Sequence, residues 1–477
     1  MSGALHDVIV VGAGPGGAAA AGFLAGRGID VLILDKSDFP REKVCGDGLT
    51  PQAIAWMDRL GVAEEVLAET KGCIKACDLF INGSKVLSAG FPPLARYPDF
   101  AVLLDRRRFD HILLRNAVRK GATFQPGWVV RGVERADGEA RVIARSGGKS
   151  EEFRARIVIG ADGVSSAVSR AIGNRLKSGV MAVSVRGYFT GVQCEGAPIK
   201  VYFDRSYFPG YGWLFVDEAG FANVGLGYAL DPGFALPEAP RATFRRFLGR
   251  ELGEMLRGAE PCGAISGGSS AFFRPERIFD ARVMLVGDAA NQADPLNGGG
   301  IHKAMESAWY AARAAEAALE AEDFSAQRLG LYQALWERES GHDWQTAELF
   351  LTIAKNPALR DFCLLLLERI GRLTNEDAGF RAFAAGVFSG VLAQRLAVSP
   401  AAILRAFPKN VGAWRAVLQK RDDEPGLARV TAASVMGAGR AMLGAPLANL
   451  GWASEVASKA LRLAAREVAM LGASGRA

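Results

Sequence analysis

Histidine is scarce in this sequence, cysteine nearly so, and long apolar runs are missing. Only His6, His111, His302 and His342 occur among 477 residues. They have no metal-ligand spacing and no serine–histidine triad context, so the sequence offers no metal centre. The six cysteines, at 45, 73, 77, 194, 262 and 363, follow no disulfide framework. Cys73 and Cys77 are four apart, but no second pair or histidine cluster joins them, and they read as small core residues. No basic–apolar–small segment opens the chain, so a reducing, cytoplasmic setting is expected. No uninterrupted stretch approaches the roughly 18 apolar residues that span a bilayer, which leaves peripheral contact as the only membrane association to consider.

A net charge is also absent from most of the chain. Residues 401–477 hold 11 Lys and Arg against 5 Asp and Glu, a surplus equal to the whole chain's net charge of +6. The basic residues are dispersed and lack interleaved stacking aromatics, so nucleic acid is not an expected partner.

What the chain does have in quantity is glycine, 57 residues, and some of it is patterned. Residues 7–35 run from DVIVVG through GAGPGG and a small-residue helix pattern to DVLILD, which is strand, turn, helix, strand. Gly12 permits the tight turn, Gly14 lets backbone approach a pyrophosphate, and Gly17 lets the helix pack on the sheet. The helix N-terminus presents free N–H groups to the phosphates. Asp35, 18 residues after Gly17, closes the second strand and can accept ribose hydroxyls.

Short β-type runs follow between residues 73 and 100 and again between 176 and 275, and they predict a second, mostly antiparallel sheet. Between them lie a helix in FDHILLRNAVRKGA, a hairpin in residues 128–148, and a buried strand, RARIVIGADG. From Arg282 come another buried strand, a glycine-rich turn and a helix of about 20 residues. The expected fold is α/β, α+β overall. A discontinuous Rossmann-type domain spans 1–72, 101–175 and 276–340, a sheet domain spans 73–100 and 176–275, and a helical region spans 341–477.

Four motifs now stand in a fixed order: GAGPGG, Arg106 of DRRRFD, GADG, and GDAANQADPLNGGGI. Together they resemble the flavoprotein monooxygenase superfamily, whose fold is similar to that of p-hydroxybenzoate hydroxylase and binds FAD. With PREKVCGDGL and PGYGWLF, the likeness narrows to the geranylgeranyl reductase family over about residues 6 to 340. The resemblance implies that Gly12, Gly14, Pro15, Gly16 and Gly17 hold the FAD pyrophosphate, with Asp35 and Lys36 at the adenosine ribose. It sets Val130 near the adenine, Arg106 near the ribityl and phosphate region, and Asp162 and Gly163 in a second contact motif. Cys45 and Gly46 would pass beside the isoalloxazine, and Asp288 would bind ribitol or pyrophosphate. Pro295, Gly298, Gly299, Gly300 and Ile301 would set backbone N–H groups and a helix N-terminus beside the flavin N1/O2 edge, where reduced flavin is anionic. The family usually has Thr or Ser at position 297 and Glu at 299, whereas this chain has Asn297 and Gly299.

The family's reaction is reduction of C=C bonds in polyprenyl or similarly lipophilic substrates, by hydride transfer from the reduced flavin N5 to one alkene carbon and protonation of the other. The acid must lie within hydrogen-bond reach. Cys45 and Tyr211 are the candidates, with Arg41 and Lys43 able to favour a thiolate if they point inward. Tyr202, Tyr211, Trp213 and Phe215 are candidate pocket residues, although core packing accounts for the aromatics as well. His302 lies next to the flavin turn, either functional or a cap; His6, His111 and His342 read as structural or exposed. The rival readings are a flavin monooxygenase, or less readily a halogenase, tailoring a secondary metabolite, and a non-catalytic flavin or partner binder. The GWxWxIP motif of flavin halogenases is absent. So is a second dinucleotide fingerprint, which leaves the external electron donor open between NAD(P)H and a reductase or ferredoxin. As a helix, WASEVASKALRLAAREVAML puts Trp452, Val456, Leu463 and Leu471 on one side and Glu455, Lys459, Arg462 and Arg466 elsewhere, a pattern suited either to an anionic membrane or to packing on the protein itself.

Overall fold

The computed structural model describes residues 3–136, 138–175, 181–230, 238–271 and 277–399, and beyond these 402, 405, 436–440, 442–444 and 446–474. Strand β1 (Leu5–Val11) leads into helix α1 (Pro15–Ala25) and then strand β2 (Val31–Leu34). β1 lies at the centre of a sheet, paired in parallel with β2 on one side and with Lys149–Gly160 on the other. The sheet continues in parallel through Val283–Leu285 on one flank and Thr123–Gln125 on the other, and the Val129–Ala136 and Glu139–Ser146 hairpin joins Lys149–Gly160 antiparallel. Its central strands are apolar on both faces because helices cover both. All of α1 is buried, and its Ala and Gly residues let it fit between the sheet and the long Ile301–Glu320 helix.

The second sheet has, among the described residues, the order Glu260–Ala271, Met181–Thr190, Ala222–Leu230, Tyr211–Val216, Ile199–Phe203, Ala76–Ile81, Ser84–Gly90. Its neighbours pair antiparallel except Ile199–Phe203 with Ala76–Ile81, which are parallel. One face of this sheet carries the Pro240–Glu251 helix, through Phe244 and Phe247; the other faces the first sheet across a cleft.

The chain after Gly341 is helical where it is described, with helices His342–Ala354, Arg360–Glu376, Ala378–Ser389 and Pro446–Ser474; residues 406–435 of the expected helical region lie outside the described residues. The last helix docks on the protein. Trp452 Nε1 donates to the Thr352 carbonyl at 2.9 Å, and Lys459 Nζ reaches Thr352 Oγ1 at 2.8 Å and Glu348 at 3.2 Å. Leu463 is buried, while Leu450 and Leu461 are exposed. The Trp452–Leu463 side is therefore used internally, and the charged Lys459 docks beside it; the Leu471 side chain lies outside the described residues. No helix among the described residues is long and apolar enough to cross a membrane. Trp452→Ala removes one partly buried hydrogen bond and the packing around it. It is expected to cost about 2 kcal/mol and to speed proteolytic release of the C-terminal helix, which limited trypsin digestion would follow.

Candidate active site

A cleft of about 660 Å³ lies between the two sheets. It brings together Gly12, Gly14, Pro15, Gly16, Asp35, Lys36, Cys45, Gly46, Arg106, Val130, Asp162, Gly163, Asp288, Pro295, Gly298, Gly300 and Ile301, with Tyr211 and Trp213 from the second sheet. Gly17, Gly299, Tyr202 and Phe215 do not line it.

One end of the cleft is formed by the β1–α1 turn. Gly12 has φ +100°, and a Cβ there would sit 2.4 Å from the Ala161 carbonyl oxygen. Gly17 lies behind the turn, where any Cβ would overlap the Gly12 carbonyl. The absence of side chains at both positions lets the backbone pack this closely, and the α1 N-terminus, which no side chain caps, opens toward the cleft. Asp35 locks the same turn: Oδ2 accepts the Ala13 N–H at 2.7 Å and Oδ1 the Ser37 N–H at 2.8 Å. Asp162 caps a short helix, accepting from Ser166 Oγ at 2.5 Å and the Ala167 N–H at 2.6 Å, so its side chain is committed to the fold. Asp288 faces the cleft; burial pushes its carboxyl up, against the pull of Lys43 and Arg106.

Arg106 is buried and bidentate on Asp110, at 2.6 and 2.8 Å. Burial opposes its charge, but Asp110 and then the nearby Cys45 outweigh that and push the guanidinium pKa up. The cation beside Cys45 is thus Arg106. Arg41 instead pairs with Asp110 at 3.2 Å and stacks on Phe39, and Lys43 faces Asp288.

The glycine turn Asp294–Ile301 forms the opposite lip. Asp294 accepts the Leu296 N–H at 2.8 Å and Gln394 Nε2 at 2.6 Å. Asn297 Oδ1 accepts the Gly299 N–H at 2.8 Å, and its amide donates to the Phe388 carbonyl at 3.2 Å. A Cβ on Gly299 would come within 2.6 Å of His302 Cε1 and 2.7 Å of Asn297 Oδ1, so the two departures from the family pattern fit each other and the buried His302. The Ile301–Glu320 helix begins here, also without a side-chain cap. Tyr211 donates its hydroxyl to the Asn297 carbonyl at 2.7 Å. Burial, then Cys45 and Asp294, push that phenol well above its ordinary range.

Trp213 lies across the neighbouring strand. A Cβ on Gly225 would be 2.0 Å from the indole, so only glycine lets the ring lie flat on the sheet. The indole Nε1 donates to Asn223 Oδ1 at 2.8 Å. Asn223 Nδ2 donates to the Cys45 carbonyl and to Asp47 Oδ2, each at 2.8 Å. Phe215, on the same strand face, packs behind the loop instead of lining the cleft: Cβ atoms on Gly46 and Gly48 would meet its ring at 3.0 and 3.4 Å.

Several expectations need correction. Tyr202 is buried on the other face of the second sheet, stacked on Phe80 at 4.6 Å and edge-on to Phe247 at 5.4 Å. Its register partner is Gly212, not Tyr211 or Trp213, and alternation along the strand turns it away from the cleft. Tyr207 also packs on Phe247. His302 is buried and outside the cleft lining. Burial, then Lys303, lower its pKa to about 3, which makes it a neutral packing residue under the turn.

Sequence reasoning missed Asp47, Asn223, Gln394, Trp128 and Leu351, and singled out Asn297 only as a departure from the family pattern. Trp128 and Leu351 line the cleft, while the others form the hydrogen bonds behind it. Only Asp47 and Asn297 carried a signal, since both lie inside motifs already singled out.

The FAD binding domain family matches residues 6–210. Digeranylgeranylglycerophospholipid reductase 2 of Methanopyrus kandleri is 33% identical over 72% of this chain and 84% of its own length. Menaquinone reductase of Mycobacterium tuberculosis is 31% identical over 64% of this chain and 75% of its own. Among solved structures, a geranylgeranyl bacteriochlorophyll reductase-like protein of Thermoplasma acidophilum superposes with a TM-score of 0.67 at 23% identity, covering 86% of this chain and 97% of that one.

Proposed function

We propose that this protein, which belongs to the geranylgeranyl reductase family of FAD-dependent oxidoreductases, reduces C=C bonds in a polyprenyl lipid bound against the second sheet. The observation that carries the reading is the continuity of the cleft. A diphosphate-receiving end with two uncapped helix N-termini runs without a break into a wall of Tyr211, Trp213, Leu296 and Leu351. Those residues fit FAD at the polar end, and when bound FAD supplies the two-electron reduction of the alkene.

The chain's own groups do the rest. The uncapped N-terminus of Ile301–Glu320 and the N–H groups of the glycine turn stabilise negative charge arising at that end. Tyr211 fixes that turn through the Asn297 carbonyl, because its hydroxyl proton is already committed there. Cys45 Sγ, at the junction of the polar end and the apolar wall, holds the proton that goes to the alkene carbon. Trp213 and Leu351 keep water from the alkene, which favours reduction over side reactions.

Tyr211→Phe separates the two roles open to that residue. An anchor that loses one hydrogen bond is expected to lower the rate by about fivefold and leave FAD content unchanged; a fall of about a hundredfold would make Tyr211 the acid instead.

Electrons come from an external donor, either NAD(P)H or a reductase or ferredoxin. The substrate is met at a membrane surface, with the exposed Leu450 and Leu461 beside Arg462 on the last helix as the contact face. The decisive experiment incubates dithionite-reduced protein anaerobically with geranylgeranyl lipids and menaquinone, followed by mass spectrometry. A gain of two hydrogen atoms per reduced bond is expected. Oxygen uptake stoichiometric with substrate conversion in air would instead support the monooxygenase reading and sink this one.

A further inference from the structure

The cleft wall that carries Cys45 rests on a buried acid with no part in the chemistry above. Asp47 is solvent-inaccessible and has φ 60°. Its Oδ2 accepts from Tyr188 Oη at 2.5 Å and from Asn223 Nδ2 at 2.8 Å. Asn223 is equally inaccessible, and its amide is fully used: Nδ2 also donates to the Cys45 carbonyl, and Oδ1 accepts from Trp213 Nε1, both at 2.8 Å. A flipped amide would turn an oxygen toward two acceptors, so the network admits one orientation. Through that single amide the carboxylate is joined to two residues that line the cleft.

We propose that Asp47 is a positioning residue for this active site, holding the Cys45 carbonyl and the Trp213 indole in place through the Asn223 amide. The inference rests on the reductase reading for its consequence in turnover, but the arrangement itself does not.

The groups facing Asp47 are Tyr188 and Arg186 from Met181–Thr190, Asn223 from Ala222–Leu230, and Arg106 from Arg106–Arg119. Arg186 sits over the Tyr188 ring at 3.8 Å and pairs with Glu42 at 3.2 Å, so part of its charge is spent elsewhere. Asp47 Oδ1 has no hydrogen-bond partner. Burial raises the carboxyl to about 7, against Tyr188, Asn223, Arg186 and Arg106, which lower it. The carboxylate therefore forms as pH rises through neutrality. Ionised, it is the stronger acceptor for both donors; protonated, it grips Asn223 less firmly.

Asp47→Asn mimics the protonated state, and Asn tolerates the left-handed backbone at this position. Two readouts use the oxidised FAD-loaded full chain without substrate: infrared titration of protonated carboxyl, and visible circular dichroism of the flavin beside the Cys45–Gly46 loop. Wild type is expected to show a carboxyl band and a dichroism change sharing a midpoint near pH 7, both lost in D47N. With menaquinone as the probe, anaerobic turnover of wild type is expected to be about fivefold higher at about pH 8 than at about pH 6, and that of D47N to be independent of pH. Tyr188→Phe removes one donor to the carboxylate and is expected to move the midpoint to higher pH. A D47N protein with the wild-type dichroism profile, or a Y188F protein with an unmoved midpoint, would overturn the proposal. Absence of menaquinone turnover at every pH would count against the reductase reading, and the two substrate-free readouts would still decide the role of Asp47.

Discussion

Gly12→Ala is expected to give a colourless protein. At φ +100° an L-residue is strained by about 1–2 kcal/mol, and the added methyl carbon would lie 2.4 Å from the Ala161 carbonyl oxygen and 2.7 Å from its carbon. Neither neighbour can yield cheaply. Gly12 N–H donates to the Leu34 carbonyl at 2.7 Å and Ala161 N–H to the Val11 carbonyl at 2.7 Å, so relieving the clash means parting β1 from Lys149–Gly160 at the edge of the cleft. The turn would tilt, and with it the α1 N-terminus and the Asp35–Ala13 bond. A combined penalty of about 3 kcal/mol or more is expected, enough to weaken FAD binding over a hundredfold. Comparing flavin with protein absorbance in the purified variant, and its thermal unfolding with and without added FAD, would show it. A variant carrying a full complement of FAD would refute the role given to this turn.

Cys45→Ser is expected to do the opposite: keep FAD and lose reduction. With the Arg106 guanidinium nearby, Cys45 lines the cleft where its polar and apolar parts meet. Nothing at the diphosphate end depends on it, and its carbonyl, not its sulfur, is bonded by Asn223. Serine keeps the shape but is a much weaker acid. If Sγ supplies the proton to the alkene, turnover should fall by about a hundredfold or more, while the flavin spectrum and the unfolding midpoint stay close to wild type. Anaerobic reoxidation of the reduced flavin by substrate would measure the loss directly. Unchanged turnover would make the sulfur a spacer between loop and cofactor.

Local sequence carried a large share of this site. Gly12, Gly14 and Asp35 were legible because a strand, a tight turn and a helix N-terminus are built from consecutive residues, and each glycine answers a constraint within that span. Trp213 and Phe215 were legible as sharing one strand face because side chains alternate along a strand, but only Trp213 of the two lines the cleft. The same rule could not assign Tyr202. Which face of the sheet meets the cleft depends on the register of Ile199–Phe203 against Tyr211–Val216, and no local pattern states that register. His302 stood next to the right turn but packs beneath it, because the missing side chain of Gly299 makes room for its ring.

What the sequence determined by itself was therefore the dinucleotide turn, the order of the motifs and the family they resemble. All three depend on short-range geometry. Only the tertiary structure decided how the walls are held. The C-terminal helical segment closes on the glycine turn through Gln394, the Phe388 carbonyl and Trp344 Nε1, which donates to the Ala293 carbonyl at 3.1 Å. Asn223, 178 residues from Cys45, holds its carbonyl, and Arg106 displaces Arg41 and Lys43 as the cation beside the thiol. Each of these joins residues distant in the chain, and buried polar groups must find partners wherever packing brings them, so their pairing becomes visible only once the whole chain has folded.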